Sequence, residues 1–240
     1  MKRLGIIAAP GWMDPTVGEF LARHAGQLEV TQTIPGPSGF DWSFAALRAC
    51  EPHLLEAARC LAEAGCDCIA QVGPAFAYQA GVTAQGARAM GKRLSEAAGV
   101  PVVLNGCAML DALDDLGIRR FVAVCPYYSP EWKFQFRSFM EGAGYQVDGA
   151  QSFVDLGLFA SQSEVDALNY RFSEEVVLRA LQMNLDLTPS ASAVVLSGSG
   201  VRTLSWLRRV QDGLGMPVIS ADGALYSAVC RTLGMAPIGV

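Results

Sequence analysis

Gly99-Val-Pro-Val-Val103 and Gly215-Met-Pro-Val-Ile219 are near-copies of one another, 116 residues apart in a chain of 240. The same shift sets Ala108 and Ala112 on Ala224 and Ala228. It also sets Gly5-Ile-Ile-Ala-Ala-Pro10 on Phe121-Val-Ala-Val-Cys-Pro126. Chance can supply one such match; several at a single shift indicate an internal duplication.

On either side of the repeat, apolar strand-like runs alternate with helical ones along the whole chain. The strands are expected at Leu4–Ala9, Leu28–Thr33, Cys68–Val72, Val102–Leu104, Phe121–Cys125, Gln146–Val147 (weakly), Ala193–Ser197 and Val218–Ser220. Several are unbroken apolar runs, as strands covered by helices on both faces require. Helical periodicity covers Pro15–His24, Ser43–Ala64, Thr83–Ala97 and Ala108–Leu116 in the first part of the chain. It resumes at Glu131–Glu141, Glu164–Leu185, Val201–Asp212 and Ala224–Leu233. Such alternation specifies parallel sheets built from right-handed strand–helix–strand units.

The fold class is therefore α/β, with two pseudo-symmetric Rossmann-like halves, each holding a parallel four-stranded sheet, and a cleft between them. Residues 1–105 with 222–240 form the expected first half, and residues 106–221 the second. In open parallel sheets a ligand binds beyond the carboxyl ends of the strands. The segments after Ala9, Val72, Leu104, Cys125, Ser197 and Ser220 are thus expected to line the cleft. Gly73 and Gly198 lie 125 residues apart, nine more than the repeat shift, so a longer loop is expected after Gly73.

The composition narrows the function classes. The chain is 51% hydrophobic and 17% charged with a net charge of −5, which suits a compact core and excludes disorder. Basic residues cluster no further than pairs such as Arg119-Arg120, so nucleic acid is not expected as a partner. No apolar run reaches the roughly 20 residues that span a bilayer, and Leu4–Ala9 is too short for a signal peptide and reads as a strand. The seven cysteines are spread through apolar segments, as reduced buried thiols of a cytoplasmic protein would be. Cys66-x-Cys68 lacks partners for a metal, and no phosphate- or dinucleotide-binding glycine pattern is present, so neither metal nor cofactor is expected.

Chemistry is concentrated in two strand-end turns. Ala193-Val-Val-Leu-Ser-Gly198-Ser-Gly200 leads toward a helix expected near Val201, whose free N–H groups and positive dipole end suit a carboxylate. Ser199 would add a hydroxyl to that site, or would only cap the helix. Its counterpart, Cys68-Ile-Ala-Gln-Val-Gly73-Pro-Ala75, offers fewer donors, because Pro74 has no N–H while Ala75 keeps one. Phe76 and Tyr78 read equally as an apolar wall or as core. Tyr127 can donate to a carboxylate without bringing charge, whereas Tyr128 reads as packing. Asn105 reads equally as a ligand contact or a helix cap. Asp14, ahead of Pro15, reads as a helix cap before it reads as a catalyst. His24 and His53 fall within helices, away from the strand ends.

These segments resemble the aspartate/glutamate racemase superfamily, in its branch of arylmalonate decarboxylases and maleate isomerases. The likeness is carried by Gly5–Pro10, Val72–Gly81, Ala108–Gly117, Arg119–Tyr127 and Leu196–Leu204. It implies cofactor-free chemistry on a small carboxylate held between two halves. Racemases and isomerases of the superfamily hold one cysteine at each of two facing strand ends, where adjacent helix N-termini lower the thiol pKa. The motifs place Gly73 at the first cysteine and Gly198 at the second. Arylmalonate decarboxylases already have glycine at the first, and this chain lacks both thiols, which argues against two-base racemisation. Tyr127 matches a tyrosine that binds substrate oxygens, and Gly198, Ser199 and Gly200 match the second oxyanion-binding turn. The hydroxyl residues that usually follow the first cysteine are Pro74 and Ala75 here.

Decarboxylation tolerates missing thiols best, since bond cleavage needs an apolar pocket and donors for the enediolate. The resemblance implies a cofactor-independent lyase or isomerase acting on a small carboxylic acid. Tyr127 and Ser199 are the candidate catalytic residues, with Gly73, Pro74, Ala75, Tyr78, Asn105, Gly198 and Gly200 around the substrate. The alternatives are a non-catalytic carboxylate binder of the same descent, or an enzyme using Cys107 or Cys125. Homo-oligomer formation is left open.

Overall fold

The computed structural model describes residues 1–36, 39–79, 81 and 83–239. Its strands form two parallel four-stranded sheets. The first contains β1 (Lys2–Ile7), β2 (Leu28–Thr33), β3 (Cys68–Gln71) and β4 (Val102–Leu104), in the order β2-β1-β3-β4. The second contains β5 (Arg120–Val124), β6 (Gln146–Gln151), β7 (Val194–Leu196) and β8 (Val218–Ser220), in the order β6-β5-β7-β8. The two orders are the same when the second set is renumbered, so the sequence repeat is a repeat of topology. All eight expected strands are present, and the weakest of them, β6, is longer than its pattern suggested.

The helices of the first half of the chain are α1 (Thr16–Arg23), α2 (Phe44–Ala49), α3 (Glu51–Glu63), α4 (Ala84–Ala98) and α5 (Asn105–Asp115). Those of the second are α6 (Pro130–Gly142), α7 (Gln162–Ala167), α8 (Glu174–Leu187), α9 (Leu207–Leu214) and α10 (Ala221–Leu233). The repeated glycines act alike. Gly99 ends α4 and Gly215 ends α9, both in the left-handed conformation, at φ 73° and 62°. Proline two residues later prevents the helix from resuming, and the next strand begins.

Two helical expectations and one loop expectation are corrected. Ser43–Ala64 is two helices, α2 and α3, separated at Cys50 because Pro52 fits only the first turn of a helix. Glu164–Leu185 is also two, α7 and α8, and the intervening Asn169 and Tyr170 have positive φ. The Ser173 hydroxyl then restarts the chain as α8 by accepting from the Val176 amide at 3.3 Å. Lastly, the nine extra residues after Gly73 lie mostly in a helix rather than a loop: α4 has 15 residues and α9 has 8.

Alternate residues of the central strands feed separate cores. Leu4, Ile6 and Ala8 face Phe20 of α1 and Leu225, Tyr226 and Val229 of α10, while Ile7 and Ala9 face the opposite layer with α3. In β5, Phe121 and Ala123 face one layer and Val122 and Val124 the other. Burial on both faces is the reason these strands read as unbroken apolar runs, each large side chain contributing about 1.5–3 kcal/mol. Helices α5 and α10 start directly at the ends of β4 and β8 and pack against each other, with the Asn105 side-chain amide donating to the Ala221 carbonyl at 3.1 Å. No helix among the described residues is long and apolar enough to cross a membrane.

Candidate functional site

Parallel register brings the strand ends level. Ile7 pairs with Gln71 in one sheet and Val124 with Leu196 in the other, so the chain leaves four central strands at similar heights. Between these exits lies a cleft of about 480 Å3. Its floor combines Ala9 after β1, Gly73, Pro74 and Ala75 after β3, Tyr127 after β5 and Ser199 after β7. The expected exits after β4 and β8 do not contribute. Those strands run straight into α5 and α10 with no loop, and Asn105 is buried at the contact between these helices.

The second strand-end turn is held from behind. Gly198 has φ 113° and Gly200 φ 80°, values that L side chains rarely adopt. The Asp222 carboxyl, at the start of α10, accepts from the Gly200 and Arg202 amides, each at 3.0 Å. Those two contacts, with Arg202 at φ 60°, keep the chain non-helical, and α9 begins only at Leu207. The helix expected near Val201, with Ser199 as its cap, is therefore replaced by an extended turn. The Gly198 and Ser199 amides donate to no group among the described residues. The Tyr127 hydroxyl donates to the Ser199 carbonyl at 3.0 Å.

The first turn is built differently. Gly73 has φ 95°, and Pro74–Phe76 form one tight helical turn in which the Ala77 amide donates to the Pro74 carbonyl at 2.9 Å. The buried Gln71 side chain donates to the Gly73 carbonyl at 3.3 Å. The Gly73 and Ala75 amides make no hydrogen bond among the described residues. Ala80, later in the same segment, lies outside the described residues.

The walls are aromatic. Trp12 and Tyr170 pack with ring centroids 4.4 Å apart, joining the loop after β1 to the α7–α8 connection. Tyr170 meets Tyr127 edge-on at 4.8 Å. On the opposite side Tyr128 and Trp132 pack edge to face at 5.4 Å, and Trp42 continues this wall. No Lys, Arg or His lines the cleft among the described residues, and its charged lining is Asp41 and Asp166 at the exposed mouth.

Of the residues singled out from sequence, the cleft brings together Gly73, Pro74, Ala75, Tyr127 and Ser199. Gly198 is next to it, under Tyr127, and Gly200 is covered by the Trp12 ring. Tyr78 is buried behind the wall, where its hydroxyl bonds those of Tyr128 and Ser197. Asn105 is outside the lining. Phe76 is both wall and core.

Neither Cys107 nor Cys125 lines the cleft, and burial pushes the Cys107 thiol up to about 11 and the Cys125 thiol higher still. His24 is buried against the Tyr226 hydroxyl at 2.8 Å. Among the described residues no group of three or more potential ligands could hold a metal. Trp12, Trp42, Tyr170 and Phe172 are cleft residues that the sequence reading does not single out, although large apolar side chains placed in turns are a usable signal.

Two topologically equivalent α/β halves with a shared cleft at their strand ends define a class of two-domain α/β protein. Within that class the sequence identifies the family: the arylmalonate decarboxylase family model matches residues 45–239, and the chain belongs to that family. It is 26% identical over 215 residues to an arylmalonate decarboxylase from Bordetella bronchiseptica, spanning 90% of this chain and 80% of that one. A maleate isomerase from Geobacillus stearothermophilus is 27% identical over 137 residues, 56% of this chain and 50% of its own length. The fold is shared with the solved maleate isomerase Iso of Pseudomonas putida S16, at a TM-score of 0.80 and 17% identity, covering 98% of this chain and 93% of that one. It is also shared with unliganded arylmalonate decarboxylase, at a TM-score of 0.78 and 23% identity over 98% and 94% of the two chains.

Proposed function

We propose that this protein is a cofactor-independent lyase or isomerase, decarboxylase-like in its chemistry, acting on a small carboxylic acid bound between the two halves. The observation that supports the reading is the presence of uncommitted backbone amides on two turns at one cleft: those of Gly73, Ala75 and Ser199 belong to lining residues, and that of Gly198 lies next to them, under Tyr127. Backbone amides bind a carboxylate, and later an enediolate, without supplying a counter-charge that would stabilise the substrate as strongly as the transition state. An apolar wall beside the departing carboxylate favours its conversion to neutral carbon dioxide, while the charge passes to the enediolate at the amides. They also fit a flat apolar substituent on the acid.

Tyr127 holds the second turn through the Ser199 carbonyl, so its hydroxyl proton is directed at the protein and its remaining lone pairs are acceptors. Within this reading Tyr127 shapes the amide pair, and Ser199 contributes a hydroxyl residue to the lining beside it. The glycines at the two superfamily cysteine positions leave the cleft without thiols.

The purified protein should be assayed against arylmalonates, maleate, hydantoins and acidic amino acids. Release of carbon dioxide from an arylmalonate supports the reading. A folded sample that turns over none of them overturns it. Stabilisation by phenylacetate without turnover would instead identify a non-catalytic carboxylate binder.

A further inference from the structure

The Ser199–Gly200 peptide of the second turn is held at both ends. Its carbonyl accepts from the Tyr127 hydroxyl at 3.0 Å, and its N–H donates to the Asp222 carboxyl at 3.0 Å. In a trans peptide these two groups point in opposite directions, so one holder stands on each side. The other Asp222 oxygen accepts from the Arg202 amide, also at 3.0 Å. Asp222 is only 1% exposed, so bulk water does not compete for either amide. Ser199 joins this fixed peptide to the preceding one, whose N–H is uncommitted among the described residues.

We propose that Asp222 is a positioning residue for the substrate carboxylate. By holding the Ser199–Gly200 peptide against Tyr127, it fixes the Gly198 and Ser199 amides in the orientation that receives the carboxylate oxygens. This rests on the lyase or isomerase reading above. Glycine at 198 and 200 makes the turn possible and also leaves it free to rotate. Held from one side only, the peptide could turn about its Cα–Cα axis and carry Ser199 with it. The Asp222 carboxyl supplies the second fixed point without lining the cleft.

Asp222 stands in the first turn of α10, where an acid is ordinarily accounted for by the helix dipole. The cap of that helix is already filled, because the Ser220 hydroxyl accepts from the Gly223 amide at 2.9 Å. Both oxygens of Asp222 instead reach amides 22 and 20 residues earlier in the chain. The repeat points the same way. Its 116-residue shift sets Asp222 on Gly106, at the start of α5. A Cβ there would collide with the Ala77 side chain and come within 3.0 Å of the Pro74 carbonyl oxygen. The first turn thus rests directly on its helix, whereas the second stands off and Asp222 spans the gap. Beyond the turn the chain is anchored separately: Glu19 accepts from the Leu204 amide at 3.1 Å, and Arg23 donates to the Leu204 carbonyl. Loss of the Asp222 carboxyl therefore acts on the turn and leaves the following loop in place.

The test is isothermal titration of phenylacetate into the full-length protein and its folded variants. Asp222→Ala should bind phenylacetate about tenfold more weakly than the wild type. Asp222→Ala and Tyr127→Phe free the same peptide, so the double variant should bind about as weakly as the weaker single one. Wild-type affinity in Asp222→Ala overturns the proposal, and so do losses that multiply in the double variant. If Asp222→Ala does not fold, Asp222→Asn replaces it: one acceptor oxygen remains, a loss of about threefold is expected, and no loss overturns the proposal. Nitrogen-15 NMR relaxation gives a readout without ligand. The Gly198 and Ser199 amides should be rigid in the wild type and mobile on the picosecond–nanosecond timescale in the Asp222 variant, and equal rigidity overturns the proposal. A wild type that binds no phenylacetate counts against the proposed function, and the relaxation measurement still decides this one.

Discussion

The Tyr127 hydroxyl oxygen lies 2.7 Å from the position that a Cβ on Gly198 would occupy, and the ring carbon bearing it lies at 2.8 Å. The second glycine of the cleft is therefore covered by a tyrosine that is itself tied to the next residue. A side chain at Gly198 needs both a φ of 113° and the displacement of Tyr127.

Gly198→Cys and Gly198→Ala should accordingly each destabilise the fold by about 2–4 kcal/mol. Thermal or denaturant unfolding measures this. Gly73→Cys should be milder, because its Cβ meets nothing closer than Phe76 at 3.4 Å, although φ is 95° there too. Its thiol should be open to alkylation from the cleft. Equal destabilisation at the two glycines would contradict the geometry.

Tyr127→Phe removes the 3.0 Å bond to the Ser199 carbonyl and leaves that oxygen short of a partner. A stability loss of about 1–2 kcal/mol is expected. Phenylacetate affinity should fall as well, since the turn bearing the Gly198 and Ser199 amides loosens. Isothermal titration on the folded variant separates the two effects.

The raised pKa of Asp14 fixes the sign of a pH effect. The native state holds the proton up to about 6 while the unfolded chain releases it near 3.8, so the native state binds more protons between these values. Its contribution is complete below 3.8 and is lost as pH rises through about 6. Relative to Asp14→Asn, the wild type should lose on the order of 3 kcal/mol over that window. Urea unfolding of both proteins at several pH values measures the difference.

Trp12→Ala removes the ring that packs 4.4 Å from Tyr170 and covers Gly200. If the aromatic wall holds an apolar substituent, phenylacetate should bind about tenfold more weakly, equivalent to about 1.4 kcal/mol. Acetate should be little affected. A uniform loss for both ligands would assign Trp12 to the fold alone.

Thiol accessibility offers an independent check on the cysteines. Cys60 is exposed and Cys107 half-buried, while the other five are buried. Burial pushes the Cys68 thiol up to about 12. Under native conditions a disulfide reagent should modify Cys60 rapidly, Cys107 slowly and the rest only on unfolding. Rapid modification of Cys125 would contradict its burial.

The architecture was legible in the amino-acid order because it rests on local and periodic signals. Gly99 and Gly215 end helices, Pro101 and Pro217 prevent their continuation, and the apolar runs of β1, β3, β5 and β7 can be buried only between helical layers. The two turns, Gly73–Ala75 and Gly198–Gly200, could be located in the same way, since strand ends in parallel sheets converge. What those turns present was settled by long-range contacts. Asp222, far along the chain, takes the Gly200 and Arg202 amides and prevents the helix that the local pattern suggested at Val201. Asn105 looked like a cleft residue until α5 met α10 and buried it. Asp14 reads as a cap, and its Oδ1 does accept from the Thr16 amide just ahead of α1, but only folding buries its second oxygen away from every partner among the described residues. Each of these outcomes depends on a contact between distant segments, for which no periodicity or local propensity provides a signal.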